Sequence, residues 1–358
     1  MVGPDGALPL PWLADPLSQA LGTRRAHALL IHGPQGVGQF ELALTMAQAW
    51  LCDTRDNEKS TPWPCGTCAS CRLVQARSHP DLLVLLPEAL RESLGWSADA
   101  LGDAGVAEKG SKTKPSKDIK VEAVRAVVAF AQTTSARGRG KVVVMHPAER
   151  MNAVSANTVL KTLEEPPGDA RFILSCAAPE ALLPTIRSRC QALPMAAPPK
   201  DQALQWLSGK GVDRADVLLN ATGGQPIEAL DWALQGVSAE LWLQLPALVA
   251  RADTASLASW PLPRLVDALQ KLCHDTLCLA VGALPRYFPQ ASLASVFRNV
   301  STSAALQWAQ NLSRAARQAE HPWHAALMAE SLLQQGQGVL AAGAAASHAA
   351  PVNPTPAS

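Results

Sequence analysis

The chain has 358 residues, which at roughly 150 residues per domain gives two or three domains, each able to bury a full core without disulfide staples. Lys and Arg total 31 against 30 Asp and Glu, a net charge of +1, and charged residues make up only 17% of the chain. That balance excludes bulk phosphate neutralisation as a way of holding nucleic acid, so any such role must be local or shared with partners.

Residues 1–13 lack the basic region and apolar run of a secretory signal, and no apolar run in the chain reaches the roughly 18 residues of a membrane span. The expected setting is therefore the reducing cytoplasm, with no membrane partner. There the eight cysteines read as metal ligands or core residues rather than disulfides. From residue 26 to about 194, short apolar runs alternate with helical ones, the pattern of a βα-type nucleotide-binding sheet. Strands are predicted at 28–32, 82–86, 141–145 and 171–176. Helices are predicted at 38–51, at 121–132, where Val121, Val124, Val127, Val128 and Ala131 share a face, and at 153–165, ended by Pro166-Pro167. Residues 88–118 turn to Gly, Ser, Lys and Asp and read as a flexible surface insertion. After Pro198-Pro199 the strand signals stop. Two helical stretches follow, 201–234 and about 240–335, and the chain from 341 is a low-complexity tail expected to be disordered.

Four features carry chemistry. Gly33-Pro34-Gln35-Gly36-Val37-Gly38-Gln39-Phe40 has the GxxxxG spacing of a P-loop, after a strand and opening a helix. A working loop follows its last glycine with Lys, to neutralise phosphate, and Ser or Thr, to hold magnesium. Gln39 supplies no charge and Phe40 ligates no metal, so the loop reads as a retained glycine turn with at most weak phosphate contact through backbone amides. The strand Val142-Val143-Val144-Met145 ends in His146-Pro147 rather than a magnesium-binding carboxylate, with Glu149 only beyond the proline. Cys65, Cys68 and Cys71 form two CxxC steps sharing a residue, the spacing of a zinc site. The fourth ligand is Cys52 or His79; Cys52 closes an all-thiolate set directly after the P-loop helix and is favoured. Four ligands leave no open position for water, which points to a structural role. Cys176, Cys190, Cys273 and Cys278 are scattered and read as core. The last feature, Ile186-Arg187-Ser188-Arg189-Cys190, reads on its residues alone as a solvated arginine, as does the basic turn Arg137, Arg139, Lys141.

The degenerate P-loop, the CxxCxxC cluster, Leu160-Lys161-Thr162-Leu163-Glu164-Glu165-Pro166-Pro167 and Ser188-Arg189-Cys190, in that order, resemble the delta-prime family of bacterial DNA polymerase III clamp-loader subunits. The resemblance runs from about residue 11 to 199 and weakens after that. It implies an α/β P-loop AAA+ module at 1–199 with a zinc segment at about 52–71 and the insertion at about 88–118. A small helical lid at 200–236, an all-α collar at 237–340 and a tail at 341–358 complete the chain. It further implies DNA replication work as a non-hydrolysing stator that helps load the sliding clamp onto primed DNA through the assembled complex. The partners would be the gamma/tau ATPase subunits and the delta subunit in a hetero-pentamer. Arg189 would be the finger donated in trans to a neighbour's ATP, Cys52, Cys65, Cys68 and Cys71 the zinc ligands, and Gly33, Gly38 and Gln39 a cradle without nucleotide. Ile227 and Glu228 stand where an ATPase places a sensing arginine, which agrees with an inactive site. An active motor subunit, or a zinc-containing DNA adaptor, would be the alternative.

Overall fold

The computed structural model describes residues 1–22, 26–54, 64–96, 115–294, 296, 300–318 and 325–345. The chain divides into two compact units, Met1–Gln202 and Ala203–Ser358.

The first unit carries α1 (Ala14–Gly22), β1 (Ala28–His32), α2 (Gln39–Leu51), α3 (Ala69–Gln75), β2 (Leu82–Leu85), α4 (Glu88–Arg91), α5 (Val121–Gln132), β3 (Val142–Met145), α6 (Ala153–Glu164), β4 (Arg171–Cys176), α7 (Pro184–Arg187) and β5 (Gln191–Pro194). The strands form one sheet in the order β2-β3-β4-β1-β5, every pairing parallel. Parallel strands are joined by helices, so both faces are covered and the strands read as continuous apolar runs. One set of alternate residues, including Leu30, Leu85, Val143 and Phe172, shares a core with Val124 and Val127 of α5 and Val159 and Leu163 of α6. The other set, Leu29, Ile31, Val142, Val144 and Ile173, is equally buried. Each such side chain contributes about 1.5–3 kcal/mol by leaving water.

The predicted strands and helices are present within a residue at each end. The helices α1, α3, α4 and α7 carry no prediction, and neither does β5, an edge strand with Leu193 its sole buried residue and Pro194 at its end. Residues 97–114 of the expected insertion lie outside the described residues. Its two ends are held together, with Glu88 accepting from the Ser116 amide at 3.1 Å and pairing with Lys120 at 2.6 Å.

The second unit is helical: α8 (Lys200–Gly209) leads into it, followed by α9 (Ala215–Ala221), α10 (Pro226–Leu234), α11 (Ala239–Ala250), α12 (Leu262–Ala280), α13 (Gln290–Ala294), α14 (Thr302–Gln318) and α15 (Ala325–Ala345). A single core runs from Ala203 to Leu340, so residues expected as lid and as collar contribute to the same buried cluster. Trp242 stacks on Phe288 with centroids 4.5 Å apart at its centre. The fully buried Asp275 accepts the amides of Arg286, Tyr287 and Phe288, each at 2.8 Å, and so pins the turn that brings Phe288 in. The backbone of α15 continues helical to Ala345, past the expected start of the tail, and residues 346–358 lie outside the described residues. Among the described residues no helix is long and apolar enough to cross a membrane.

Candidate functional site

The glycine loop lies between β1 and α2, at the carboxyl end of the sheet, where open α/β folds place their ligands. Gly38, with φ of 103°, occupies the N-cap of α2, and a Cβ there would come within 2.5 Å of the Leu10 side chain. Only glycine meets both conditions. Trp12 donates its indole N–H to the Val37 carbonyl at 2.8 Å, so the segment before α1 packs directly on the loop.

Gln39, at the position of a P-loop lysine, is buried and turns back on the loop, its amide donating to the carbonyls of Gly33 at 2.7 Å and Pro34 at 2.6 Å. Phe40, at the position of the magnesium-binding hydroxyl, stacks on His146 with ring centroids 4.7 Å apart and 25° between planes. His146 in turn places Nδ1 3.0 Å from the Ser175 hydroxyl of β4. Burial pushes the His146 imidazole down to about 4, against the raising effect of Ser175, so the ring is neutral at pH 7. Glu149 does not substitute as a metal carboxylate; it turns onto the Ala177 amide at 2.8 Å. An amide, a phenyl ring and a neutral imidazole thus occupy the three positions from which a P-loop enzyme presents two charges and a hydroxyl.

The second constellation joins the end of α2 to the start of α3. Cys52 is the C-cap of α2, Cys65 lies in the turn leading into α3, Cys68 is the N-cap of α3 and Cys71 sits in its first turn. Gly66, with φ of 71°, makes that turn possible, since a Cβ would come within 2.1 Å of the Gly3 carbonyl oxygen. The four sulfurs lie within 4.8 Å of one another, with Cys52–Cys65 at 3.6 Å and Cys52–Cys68 and Cys65–Cys71 at 3.9 Å. A zinc tetrahedron with bonds of about 2.3 Å has an edge of about 3.8 Å, so the donor set fits that ion in chemistry and in spacing. Backbone amides already point at the sulfurs: Cys68 N donates to Cys65 Sγ at 3.4 Å and Cys71 N to Cys68 Sγ at 3.3 Å. The hydrogen bond from Cys71 holds the Cys52 thiol down to about 4, and the reciprocal bond, then burial and the charge on Cys52, push Cys71 upward. His79 stands apart from this group. Its Nδ1 accepts from the Asp81 amide at 3.0 Å, and its Nε2 is buried without a hydrogen-bond partner.

The basic turn before β3 is exposed at Ala136, Arg137 and Gly138, as expected, and is in addition clamped to the cysteine segment. Arg137 Nε donates to Ser70 Oγ at 2.8 Å and its Nη2 lies 3.3 Å from Asp53, while Arg139 reaches the Asp53 carbonyl at 2.8 Å. The turn itself hangs on Asp81, fully buried, which accepts from Ala136 N at 2.7 Å, Arg137 N at 2.8 Å and Ser135 Oγ at 2.9 Å and pairs with Lys141 at 3.0 Å. Burial alone would raise the Asp81 carboxyl, but the two amides, with Lys141 and Ser135, outweigh it and hold it below its ordinary value. The sequence reading missed Asp81. An acid directly before an apolar strand was its available signal.

Arg189 follows the short α7 and is about one-third exposed. Its Nε and Nη2 both donate to Glu164 Oε2, at 3.2 and 3.1 Å, and its Nη1 to the Thr185 carbonyl at 3.2 Å. Glu164 is the last residue of α6, so two motifs 25 residues apart in sequence meet through one ion pair. Cys190 beside it is half-buried, its thiol pushed up to about 12 by burial; Cys176 and Cys273 are fully in the core. Glu228, at the expected sensing position, is mostly buried with its carboxyl raised by that burial, and it faces Lys271 at 4.0 Å within the second unit.

A family model described as DNA polymerase III, delta subunit, matches residues 14–199 of this chain. The delta' subunit of DNA polymerase III from Pseudomonas aeruginosa is 35% identical over 272 residues, covering 72% of this chain and 74% of that protein. The corresponding protein of Escherichia coli K12 is 31% identical over 283 residues, covering 73% and 76%. Among solved structures, a DNA polymerase III gamma subunit-related protein from Thermotoga maritima aligns at a TM-score of 0.46 and 16% identity, over 91% of this chain and 100% of that one.

Proposed function

This chain belongs to the delta' family of DNA polymerase III subunits, and from that premise we propose that it is a clamp-loader subunit that hydrolyses no ATP itself and completes the ATP site of a neighbour. The observation that carries this reading is the closed loop: Gln39 bound to the loop's own carbonyls, and Phe40 stacked on a neutral His146. Positions 39, 40 and 146 thus offer a phosphate no cation and magnesium neither carboxylate nor hydroxyl. The chain's contribution to hydrolysis is then Arg189. A guanidinium near a γ-phosphate stabilises the charge that spreads over the transferring group, and a finger of this kind accounts for on the order of 10³ or more in rate.

In this reading residues 200–236 are the lid and residues 237–340 the collar that joins the gamma/tau and delta subunits in a hetero-pentamer. Sliding clamp and primed DNA are engaged through that assembly, as suits a chain of net charge +1. Cys52, Cys65, Cys68 and Cys71 would hold a zinc ion, which when bound cross-links the end of α2 to α3. The surrounding residues do the rest of the work there: Asp53 and Ser70 take Arg137, and Gln75 ties Gly66 to Val2. Metal analysis of the purified chain is expected to give one zinc, lost on Cys65→Ser.

The test of the functional reading is reconstitution with the partner ATPase and delta subunits. Arg189→Ala is expected to assemble normally and to cut DNA-stimulated hydrolysis by on the order of 10³ per site it serves. Unchanged hydrolysis in an intact complex rejects the finger. ATP turnover by the isolated chain rejects the inactive loop.

A further inference from the structure

The finger reading treats Arg189 as ready to act, yet in the isolated chain its guanidinium is occupied. Nε and Nη2 share Glu164 Oε2, and Nη1 is held by the Thr185 carbonyl, with Ser188 Oγ at 3.5 Å. A guanidinium has five N–H donors in a fixed plane, and its strong mode of binding phosphate uses two of them in parallel. The Nε–Nη2 edge that would make this fork lies against Glu164. A phosphate brought to the same edge would also stand close to the Glu164 carboxylate, and two anions cannot share one guanidinium edge without repulsion.

Resting on the reading of Arg189 as the finger, we propose that Glu164 is a positioning residue that retains Arg189 until a neighbour's nucleoside triphosphate displaces it. The carboxylate carries one negative charge and the terminal phosphate more, so the triphosphate wins the exchange. After the phosphate leaves, the carboxylate takes the arginine back. Retention lowers the fraction of chains with a free finger and so weakens the apparent hold on ATP, without altering the rate once the finger is engaged. The Glu164–Arg189 pair is partly exposed, with side chains 57% and 31% accessible, so the effect is that of a surface ion pair, about two- to fivefold.

The experiment uses the reconstituted complex with four forms of this chain: wild type, Glu164→Gln, Arg189→Ala and the double variant. Glu164→Gln keeps the side-chain shape and removes the charge. It is expected to lower the KM for ATP by about two- to fivefold with kcat unchanged, the difference shrinking as salt rises. In the Arg189→Ala background the same change is expected to do nothing. If Arg189→Ala cuts hydrolysis while Glu164→Gln leaves KM unchanged or raises it, retention is wrong and the finger stands. If Arg189→Ala has no effect, both fall. A measurement on the isolated chain is independent of the finger: solvent exchange of the Arg189 Nε–H, followed by NMR, should speed up in Glu164→Gln, and an unchanged rate overturns retention directly.

Discussion

Replacing Asp81 by Asn is expected to damage the first unit far more than its conservative chemistry suggests. The carboxylate is fully buried and takes four donors: two backbone amides, the Ser135 hydroxyl and the Lys141 ammonium, itself only 8% exposed. Asn turns an NH2 group toward some of these donors and leaves Lys141 as a buried charge without its counter-ion. Breaking a buried pair from one side costs about 3–5 kcal/mol, roughly a fifth or more of the stability of an ordinary domain. Tryptophans lie in both units, so bulk fluorescence mixes them. Native-state hydrogen exchange in peptides covering β2 and β3 reads the right unit. Exchange there is expected to accelerate by on the order of 10³ in Asp81→Asn. Lys141→Met should cost less, because Asp81 keeps three donors and the new side chain can pack on Phe130, whose ring the Lys141 ammonium now covers at 4.5 Å. The double variant should recover at least half of the loss. Additive effects of the two changes, or acceleration below about tenfold in Asp81→Asn, would refute the account of Asp81 as the anchor of the basic turn.

Two further outcomes follow from the loop. Converting Gln39→Lys and Phe40→Thr together supplies the missing charge and hydroxyl but no carboxylate at His146, so ATP hydrolysis should stay absent. Loss of the buried, stacked ring should destabilise the unit by about 3–5 kcal/mol in thermal or urea unfolding; turnover by this variant would show that residues 39 and 40 alone disable the site. His146 sets a pH dependence. Its pKa is about 4 folded against about 6.5 unfolded, so its contribution is fully present above pH 6.5 and is lost as pH falls from 6.5 to 4. The loss amounts to about 3 kcal/mol, and a His146→Gln variant should show a stability–pH slope shallower by that amount over this window. Asp81 acts lower: its pKa is depressed, so its share is intact above the unfolded value near 4 and disappears only below it. Parallel slopes for wild type and His146→Gln would place the buried charge cost elsewhere.

Which parts of this architecture the sequence discloses depends on whether the signal is periodic. β1, β3 and β4 are continuous apolar runs because both faces of a parallel sheet are covered, and α5 shows its buried stripe at Val124, Val127 and Ala131. The cysteine spacing is legible because a tetrahedral ion imposes it on the chain locally. Edge strand β5 has no such signature, since one neighbour and little burial leave its composition free. Contacts distant in sequence are equally silent. Nothing in the run around Arg137 states that it bonds to Ser70, 67 positions away, and Glu164 is visible as part of a motif without any indication that its partner is Arg189. Charge content does not disclose the clamp on the basic turn, because free and internally paired surface arginines have the same composition.

The inward turn of Gln39 has a consequence for timing. In a P-loop that binds nucleotide, the empty loop and the filled loop are two states, and the change between them is a signal the protein can send. Here the carbonyls of Gly33 and Pro34 are satisfied by the chain's own amide, and Trp12 braces the loop from the N-terminal side at Val37. On the proposed reading the loop keeps one shape whatever the ATP concentration. In the proposed ring, a subunit of this kind carries no memory of the cycle: any change of shape recorded at its surface originates next door, and its own frame is the reference from which that change can be measured.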